Sequence, residues 1–231
     1  VSRKAAKQGY SVCVNFHRDQ TSAQKLVREL EKEGANALAY QADVSREEEV
    51  EALFQTVEKH LGTPEALVNN AGILDLQTRV DGMNAERIQR IFAVNVTGSF
   101  LCAREAVKRM STKYGGKGGS IVNLSSGAAK YGSPGEYVDY AASKAAIDTL
   151  TIGLAKEVAE EGIRVNAVRP GFIDTEIHQS GGEPDRMERI RPLVPMKRVG
   201  QAEEVADAIM WLLSDKASYT TGTILDVSGG R

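Results

Sequence analysis

Apolar residues follow two alternating patterns along the chain. Short and nearly continuous apolar runs, rich in Val, Ile and Ala, are typical of strands that are buried on both faces. Longer segments repeat apolar residues every three or four positions, which is the spacing of one face of an amphipathic helix. The clearest such face consists of Val50, Leu53, Phe54, Val57 and Leu61. The runs predict strands at 11–16, 36–41, 66–68, 120–124, 164–168 and 223–227, and the periodic segments predict helices at 21–33, 46–61, 85–113, 138–161 and 201–214.

The alternation of strands and helices predicts the fold class. It favours a parallel sheet covered by helices on both faces, and right-handed crossovers make this a doubly wound, Rossmann-like α/β fold of three layers. No linker or repeat interrupts the 231 residues, so we expect a single dinucleotide-binding domain over residues 1–231. A polar segment at 171–200, marked by Pro and Gly, is long for a structureless loop. We interpret it as a substrate loop or lid.

Composition narrows the class of protein. A hydrophobic content of 42% supports a sizeable core, and a net charge of −2 does not favour nucleic acid or an anionic membrane as a partner. The apolar runs are far shorter than the roughly 20 residues that span a bilayer, and no signal-peptide core follows Val1. Cys13 and Cys102 are isolated in apolar stretches, which is typical of reduced thiols in a cytoplasmic protein. The three histidines lack ligand spacing, so we expect no metal site.

Candidate binding residues follow the predicted strands. In a doubly wound sheet the ligand lies outside the carboxyl ends of the strands. Small residues there let a ribose or adenine approach the backbone, and hydroxyl groups can bond a substrate oxygen. The motifs at these positions are Asn-Asn-Ala-Gly at 69–72, Ser-Ser at 125–126 and Arg-Pro-Gly at 169–171. Each motif by itself also fits an ordinary turn.

Tyr140 and Lys144 form the strongest chemical pattern. Four residues apart, they share one face of the predicted helix at 138–161. An ammonium about 4 Å from a phenol, at an effective dielectric of about 20, contributes roughly 4 kcal/mol, an upper-end figure. It would lower the phenol pKa from about 10 by as much as about three units. Such a phenol can pass a proton to a carbonyl oxygen or take one from an alcohol, although the pattern also arises by chance on helices.

Asn95 falls on the apolar face of the predicted helix at 85–113, the face that we expect to be buried and that consists of Ile88, Ile91, Phe92, Cys102 and Ala106. A buried amide must find hydrogen-bond partners. Two interpretations stay open at this point. Asn95 makes a structural hydrogen bond inside the protein, or a bend at this point, helped by Gly98, opens the helix to a water in the site.

In their order along the chain, these residues resemble the short-chain dehydrogenase/reductase family. The similarity is closest to the bacterial branch of 3-oxoacyl-carrier-protein reductases and glucose 1-dehydrogenases. It implies hydride transfer between NADP(H) or NAD(H) and a small-molecule carbonyl or secondary alcohol. The residues that carry it, from the Asn-Asn-Ala-Gly motif at 69–72 to the Ser-Gly-Gly motif at 228–230, include Asn95, Ser126, Tyr140, Lys144, Pro170 and Gly171.

The resemblance also implies residue roles. Tyr140 would be the general acid/base, and Lys144 would lower its pKa and hold the nicotinamide ribose. Ser126 would bind the substrate oxygen, with Ser125 not excluded, and Asn95 would hold a water of the proton relay. Asp43 and Val44 would contact adenine, Asn70, Ala71 and Gly72 would line the adenosine side, Pro170 and Gly171 would form the turn against the cofactor ring, and Ile173 and Thr175 would anchor carboxamide and pyrophosphate.

The end of the first predicted strand bears on cofactor choice. An acidic residue there would favour NAD, but Phe16 holds that place and is followed by His17 and Arg18. A guanidinium suits a phosphate, so we expect NADP(H) to be preferred, with NAD(H) possible. The alternative is that Arg18 is a solvated surface charge.

The start of the chain departs from the family pattern. The family begins with a strand and a Gly-rich turn, whereas residues 1–6 resemble the middle of the helix that follows that turn. We hypothesise that the domain is N-terminally incomplete. The alternative function is a catalytically silent cofactor-binding or interaction protein of the same fold.

Partners and specificity are the remaining expectations. By resemblance the chain forms a homotetramer or homodimer through the helices at 85–113 and 138–161. Substrate specificity is expected in 73–84 and 176–199. Five cations could form a basic face that binds an acyl carrier protein. We favour the alternative, that they are solvated surface charges. These cations are Arg186, Arg189, Arg191, Lys197 and Arg198.

Overall fold

Helices and strands alternate through the computed structural model, which describes residues 1–175 and 186–231. Within those residues the helices are α1 (Ser2–Lys7), α2 (Gln20–Lys32), α3 (Glu47–Leu61), α4 (Ala85–Phe92), α5 (Gly98–Met110), α6 (Ala128–Tyr131), α7 (Val138–Val158), α8 (Arg186–Ile190) and α9 (Ala202–Leu213). The strands are β1 (Val12–Phe16), β2 (Ala37–Gln41), β3 (Ala66–Asn69), β4 (Gly119–Leu124), β5 (Ile163–Pro170), β6 (Ile173–Asp174), β7 (Gly200–Gln201) and β8 (Ile224–Val227). None of the described helices is long and apolar enough to cross a membrane.

The strands pair in parallel, which confirms the predicted fold class. One sheet has the order β3-β4-β5-β8, and β1 pairs with β2 in a second group. Alternate side chains of β4 enter different cores: Ile121 packs with α3, α5 and α7, and Val122 packs with α9. A third core joins β1 and β2 to α2 around Leu30. Helices therefore cover both faces of the sheet, and the carboxyl ends of β3, β4 and β5 lie along one edge.

A cavity of about 930 Å³ lies between β1 and β3. Its walls include the backbones of both strands, from Val12 to Asn15 and from Ala66 to Asn69. Among the described residues no strand pairs with either of these two edges.

The long helix predicted at 85–113 is one helical path with a π turn in its middle. The π turn spans Ala93–Thr97 and joins α4 to α5. The prediction was wrong at the C-terminal end, because α5 ends at Met110. Ser111 is extended, and its hydroxyl accepts a hydrogen bond from Lys113 N and starts a short 3₁₀ turn. Serine favours such capping positions because its hydroxyl competes with the helical hydrogen bonds.

The polar segment predicted at 171–200 begins and ends at a pair of short parallel strands. Ile173 in β6 lies opposite Gly200 in β7, so the two ends of the segment are held together. The middle of the predicted substrate loop, at 176–185, lies outside the described residues. Within the described part of the predicted loop, Arg186–Ile190 form the short helix α8.

Gly98 permits a close contact between α5 and the chain after β2. A Cβ atom at Gly98 would lie 2.7 Å from Val44 Cγ2 and 3.1 Å from Val44 O. We predict that Gly98→Ala lowers the free energy of unfolding by about 1–3 kcal/mol, because the backbone of Val44 must move. Gly153→Ala in α7 is the matched control, since a Cβ there meets no atom within 4 Å and should stabilise by up to about 1 kcal/mol. Urea unfolding checks both values, and equal effects would contradict the steric argument.

Candidate active site

Lys144 lies at the centre of the candidate site. One turn of α7 separates it from Tyr140, and its Nζ atom is 5.8 Å from the centroid of the Tyr140 ring. The ammonium is buried and donates a hydrogen bond of 2.7 Å to the carbonyl oxygen of Leu124, at the carboxyl end of β4. Burial lowers the pKa of Lys144 to about 8, and the negative charge of Asp148 partly opposes that shift. The lysine thus remains largely charged near neutral pH.

Asn95 is fully buried in the π turn and uses its amide to join two segments. Its Nδ2 atom donates to the carbonyl oxygen of Ile73 (2.9 Å) and to Ser143 Oγ (3.0 Å). Its Oδ1 atom accepts a hydrogen bond of 2.7 Å from Ile73 N. Asn95 therefore makes structural hydrogen bonds inside the protein, as the first interpretation expects. The second interpretation expected a bend in the helix at this position, and the structure has a π turn there.

Gly72 follows β3 and comes close to both of these side chains. A Cβ atom at this position would lie 3.3 Å from Lys144 Nζ and 3.5 Å from Asn95 Oδ1. Asn70 and Ala71, which precede it, are exposed at the end of the strand. The predicted residues Gly72, Asn95, Tyr140 and Lys144 are thus brought together from three elements.

The two serines after β4 occupy different environments. Ser125 is buried, and its hydroxyl donates to the carbonyl oxygen of Lys144 (3.2 Å). Ser126 is partly exposed, and its Oγ atom accepts a hydrogen bond of 3.1 Å from Ala128 N. Ser126 is therefore the more accessible hydroxyl of the pair, while Ser125 supports the backbone of α7.

The turn after β5 is fixed by its neighbours in the sheet. Gly171 N donates to the carbonyl oxygen of Val227 (3.0 Å), and Gly127 N, next to Ser126, donates to the carbonyl oxygen of Pro170 (2.8 Å). Ile173 is buried in β6, whereas Thr175 is exposed. The Pro-Gly turn thus lies beside the serine turn, as the parallel order of β4 and β5 requires.

A second cluster lies at the ends of β1 and β2. His17 and Arg18 are exposed, and His17 Nε2 is 3.7 Å from Asp43 Oδ2. Burial acts to raise the pKa of Asp43, but hydrogen bonds from Ser45 and the neighbouring positive charges hold that pKa below its ordinary value. Val44 packs against Gly98 and so places this cluster next to α5.

The predicted basic face for a carrier protein has carboxylates beside two of its cations. Arg189 pairs with Glu136 at 3.5 Å, and Arg198 pairs with Glu204 at 2.6 Å. Lys197 Nζ donates to a backbone carbonyl at 2.9 Å. These contacts favour the interpretation of solvated surface charges.

Several site contacts were missed by sequence reasoning. Arg87 and Asp139 form a buried ion pair beside Tyr140, and Ser143 bridges Asn95 to α7. The available signal was an Asp directly before Tyr140, at the start of a helix. Among the described residues no group of three or more His, Cys, Asp or Glu side chains could hold a metal ion.

Comparison with known proteins shows the family. A family model described as enoyl-(acyl carrier protein) reductase matches residues 1–231. An uncharacterized oxidoreductase, YgfF, of Escherichia coli (strain K12) is 58% identical over 98% of this chain and 92% of its own length. The chain belongs to the short-chain dehydrogenase/reductase family. Glucose 1-dehydrogenase 2 of Bacillus subtilis (strain 168) is 37% identical, over 100% of this chain and 88% of that protein. A 3-oxoacyl-[acyl-carrier-protein] reductase of Synechocystis is 39% identical, over 97% and 88%.

These relatives confirm the resemblance that the motifs predicted. The chain is an oxidoreductase of the short-chain dehydrogenase/reductase family and acts on CH–OH or carbonyl groups. Its Rossmann-like sheet places Gly72, Ser126 and Gly171 just after the carboxyl ends of β3, β4 and β5, at the edge where doubly wound sheets bind their ligands.

Replacing Lys144 by Met tests the burial of its charge. Because folding lowers the pKa from 10.5 to about 8, the unfolded chain binds more protons than the folded chain between these pH values. We therefore predict that the wild type gains stability relative to Lys144→Met as the pH rises through this range, by up to about 3 kcal/mol. Urea unfolding at several pH values measures the difference, with the exposed Lys156→Met on the same helix as control. A pH-independent difference for Lys144→Met would contradict the prediction.

Proposed function

We propose that this enzyme transfers a hydride between NADP(H) and a small-molecule carbonyl or secondary alcohol, with Tyr140 as the general acid/base. The observation that carries this proposal is the buried Lys144 ammonium, 5.8 Å from the Tyr140 ring centroid. A fixed positive charge favours the ionised form of a neighbouring phenol. Tyr140 can therefore exchange a proton with a substrate oxygen near neutral pH.

Each remaining residue has a defined task in this proposal. A nicotinamide cofactor, when bound, would supply or remove the hydride at the substrate carbon. In the reductive direction Tyr140 gives its phenolic proton to the substrate oxygen, and in the oxidative direction it takes that proton. Ser126 donates a hydrogen bond to the same oxygen. Both N–H groups of Asn95 are used, so a relay water would be held by the remaining acceptor capacity of its Oδ1 atom.

The described residues fit the nicotinamide and adenosine portions of such a cofactor. Gly72 places no side chain against Lys144 Nζ, beside which a ribose would bind, and the exposed Arg18 would meet a 2′-phosphate. Asp43 and Val44 would contact adenine, with Asn70 and Ala71 along the adenosine. Pro170, Gly171, Ile173 and Thr175 would face the nicotinamide and pyrophosphate, and His17 would lie beside Arg18.

The second candidate function is a catalytically silent cofactor-binding or interaction protein of the same fold. Turnover of a panel of carbonyl substrates with NADPH or NADH separates the two candidates, because a silent protein can bind a cofactor without oxidising it.

The wider setting of the enzyme is also proposed. We treat residues 1–231 as one dinucleotide-binding domain, with the substrate side formed by 73–84 and the described parts of 171–200. Phe100 on α5 and Ile152 on α7 are exposed apolar side chains, which supports assembly into a homotetramer or homodimer through these helices. Two cysteines without a disulfide support a cytoplasmic location. The names of the relatives suggest glucose and a 3-oxoacyl thioester as first substrates to test.

Tyr140→Phe tests the proton-transfer role. We predict that kcat falls by about 10²–10⁴-fold, because the phenolic proton is lost while the ring remains. The Kd for NADPH, measured by fluorescence, should stay nearly unchanged. Tyr114→Phe, an exposed tyrosine after α5, is the matched control. Turnover of the first variant at the wild-type rate would exclude Tyr140 as the acid/base.

Arg18→Ala tests the cofactor preference. Loss of a charge-assisted hydrogen bond of about 1.5–3 kcal/mol should raise the KM for NADPH by about 10- to 100-fold and leave the KM for NADH nearly unchanged. Arg28→Ala, an exposed arginine on α2, should change neither value. Steady-state kinetics with both cofactors measure the effect. Equal changes for NADPH and NADH would show that Arg18 does not recognise the 2′-phosphate.

A further inference from the structure

Arg87 in α4 and Asp139 in the first turn of α7 form a buried ion pair. Arg87 Nε lies 2.6 Å from Asp139 Oδ2, and Arg87 Nη2 donates to Asp139 Oδ1 at 3.3 Å. The side chains are only 10% and 2% exposed. A two-point contact between guanidinium and carboxylate fixes both distance and orientation.

Each partner of this pair also holds a piece of backbone near the site. Arg87 Nη1 donates to the carbonyl oxygen of Leu76 at 2.6 Å, in the segment that follows Gly72. Asp139 Oδ1 accepts a hydrogen bond of 2.9 Å from Tyr140 N. The pair therefore joins α4, the segment after β3 and the residue that carries the phenol.

The arrangement repeats the contacts that Asn95 makes further along the same helical path. Asn95 joins Ile73 to Ser143, while Arg87 joins Leu76 to Asp139. Two clamps thus hold the segment after β3 against the first two turns of α7. Tyr140 lies between the two attachment points on α7, since Asp139 precedes it and Ser143 follows it.

We propose that Arg87 and Asp139 are positioning residues, which hold the first turn of α7 so that the Tyr140 phenol stays aligned with Lys144 and with the substrate. This role rests on the proposed function of Tyr140. Neither side chain exchanges a proton with the substrate. Removing the clamp leaves Lys144 in place on Leu124 but allows Tyr140 and residues 73–76 to shift.

Energetics favour an orienting role over a purely stabilising one. Taking two charges out of water costs desolvation, so a buried ion pair contributes little more to stability than apolar residues of similar size. Nearby carboxylates have other cations: Asp75 pairs with Arg90, and Glu136 pairs with Arg189. Asp139 is the carboxylate that fixes the direction of the Arg87 guanidinium.

The test replaces both partners at once, because a single substitution leaves one buried charge alone and threatens folding. In Arg87→Met/Asp139→Leu we expect kcat to fall by about 100-fold, the effect of a misplacement of about 1 Å. The apparent pKa in the pH profile of kcat should move up towards the ordinary phenol value of about 10, because Tyr140 moves away from Lys144. The KM for substrate should rise with the loss of the Leu76 contact, while the Kd for NADPH stays within about twofold of wild type. Thermal unfolding verifies that the variant is folded.

The control removes a second ion pair on the same helical path, Arg109→Met/Glu105→Leu in α5. Its partners lie 2.7 Å apart, Glu105 is buried and Arg109 is partly buried, and Glu105 also contacts Arg104 and Lys108. A merely structural role predicts that both double variants keep the wild-type kcat and pH profile. That result, with Tyr140→Phe inactive, would overturn the positioning role and leave the proposed function intact. Full turnover by Tyr140→Phe would overturn the proposed function and the positioning role with it. A fall in kcat with an unshifted pH profile would also overturn the proposed alignment of Tyr140 with Lys144.

Discussion

The hydrogen bond of 2.7 Å from Lys144 Nζ to the carbonyl oxygen of Leu124 fixes the centre of the site. A buried ammonium needs polar partners, because desolvation disfavours its charge. Here the partner is a backbone carbonyl at the end of a central strand, and Asp148 adds a compensating negative charge. The charge of Lys144 therefore lies at a position set by the sheet, and Tyr140 is placed one helical turn away from it.

The parallel sheet determines which other residues can reach this charge. β3, β4 and β5 end along one edge of the sheet, so the chain segments that follow them lie close to one another. Gly72 follows β3, Ser126 follows β4 and Gly171 follows β5. Asn95 and Arg87 reach the same region from the helix that crosses between β3 and β4. The ends of the strands thus determine where the site lies. The amide of Asn95 and the ion pair of Arg87 with Asp139 hold the segment after β3 against α7.

The sequence predicted those features of the site whose residues are close together along the chain. The spacing of Tyr140 and Lys144 is local, and the strand ends follow from the alternation of elements. It did not find the partners of Asn95, because Ile73 and Ser143 are 22 and 48 residues away. The pair of Arg87 and Asp139, 52 residues apart, was missed for the same reason.

Helical phase was the other source of error. Ile88 was placed on the same buried face as Cys102, yet it is 38% exposed. The π turn at Ala93–Thr97 widens one turn of the helix and changes the phase between α4 and α5. A single periodicity cannot align the positions on both sides of it. The sequence also could not distinguish Ser125 from Ser126, because two adjacent serines give no sign of which one is buried. The structure buries Ser125 and leaves Ser126 partly exposed.

The most direct test of this account is the titration of the Tyr140 phenol by ultraviolet difference absorbance. The signal of interest is the wild-type titration minus that of Tyr140→Phe, and the same difference is taken in a Lys144→Met background. The account predicts that the phenol ionises well below its ordinary pKa of about 10 in the wild type and close to that value without Lys144. Ionisation near pH 10 in both backgrounds would contradict the claim that the buried lysine prepares Tyr140 for proton transfer.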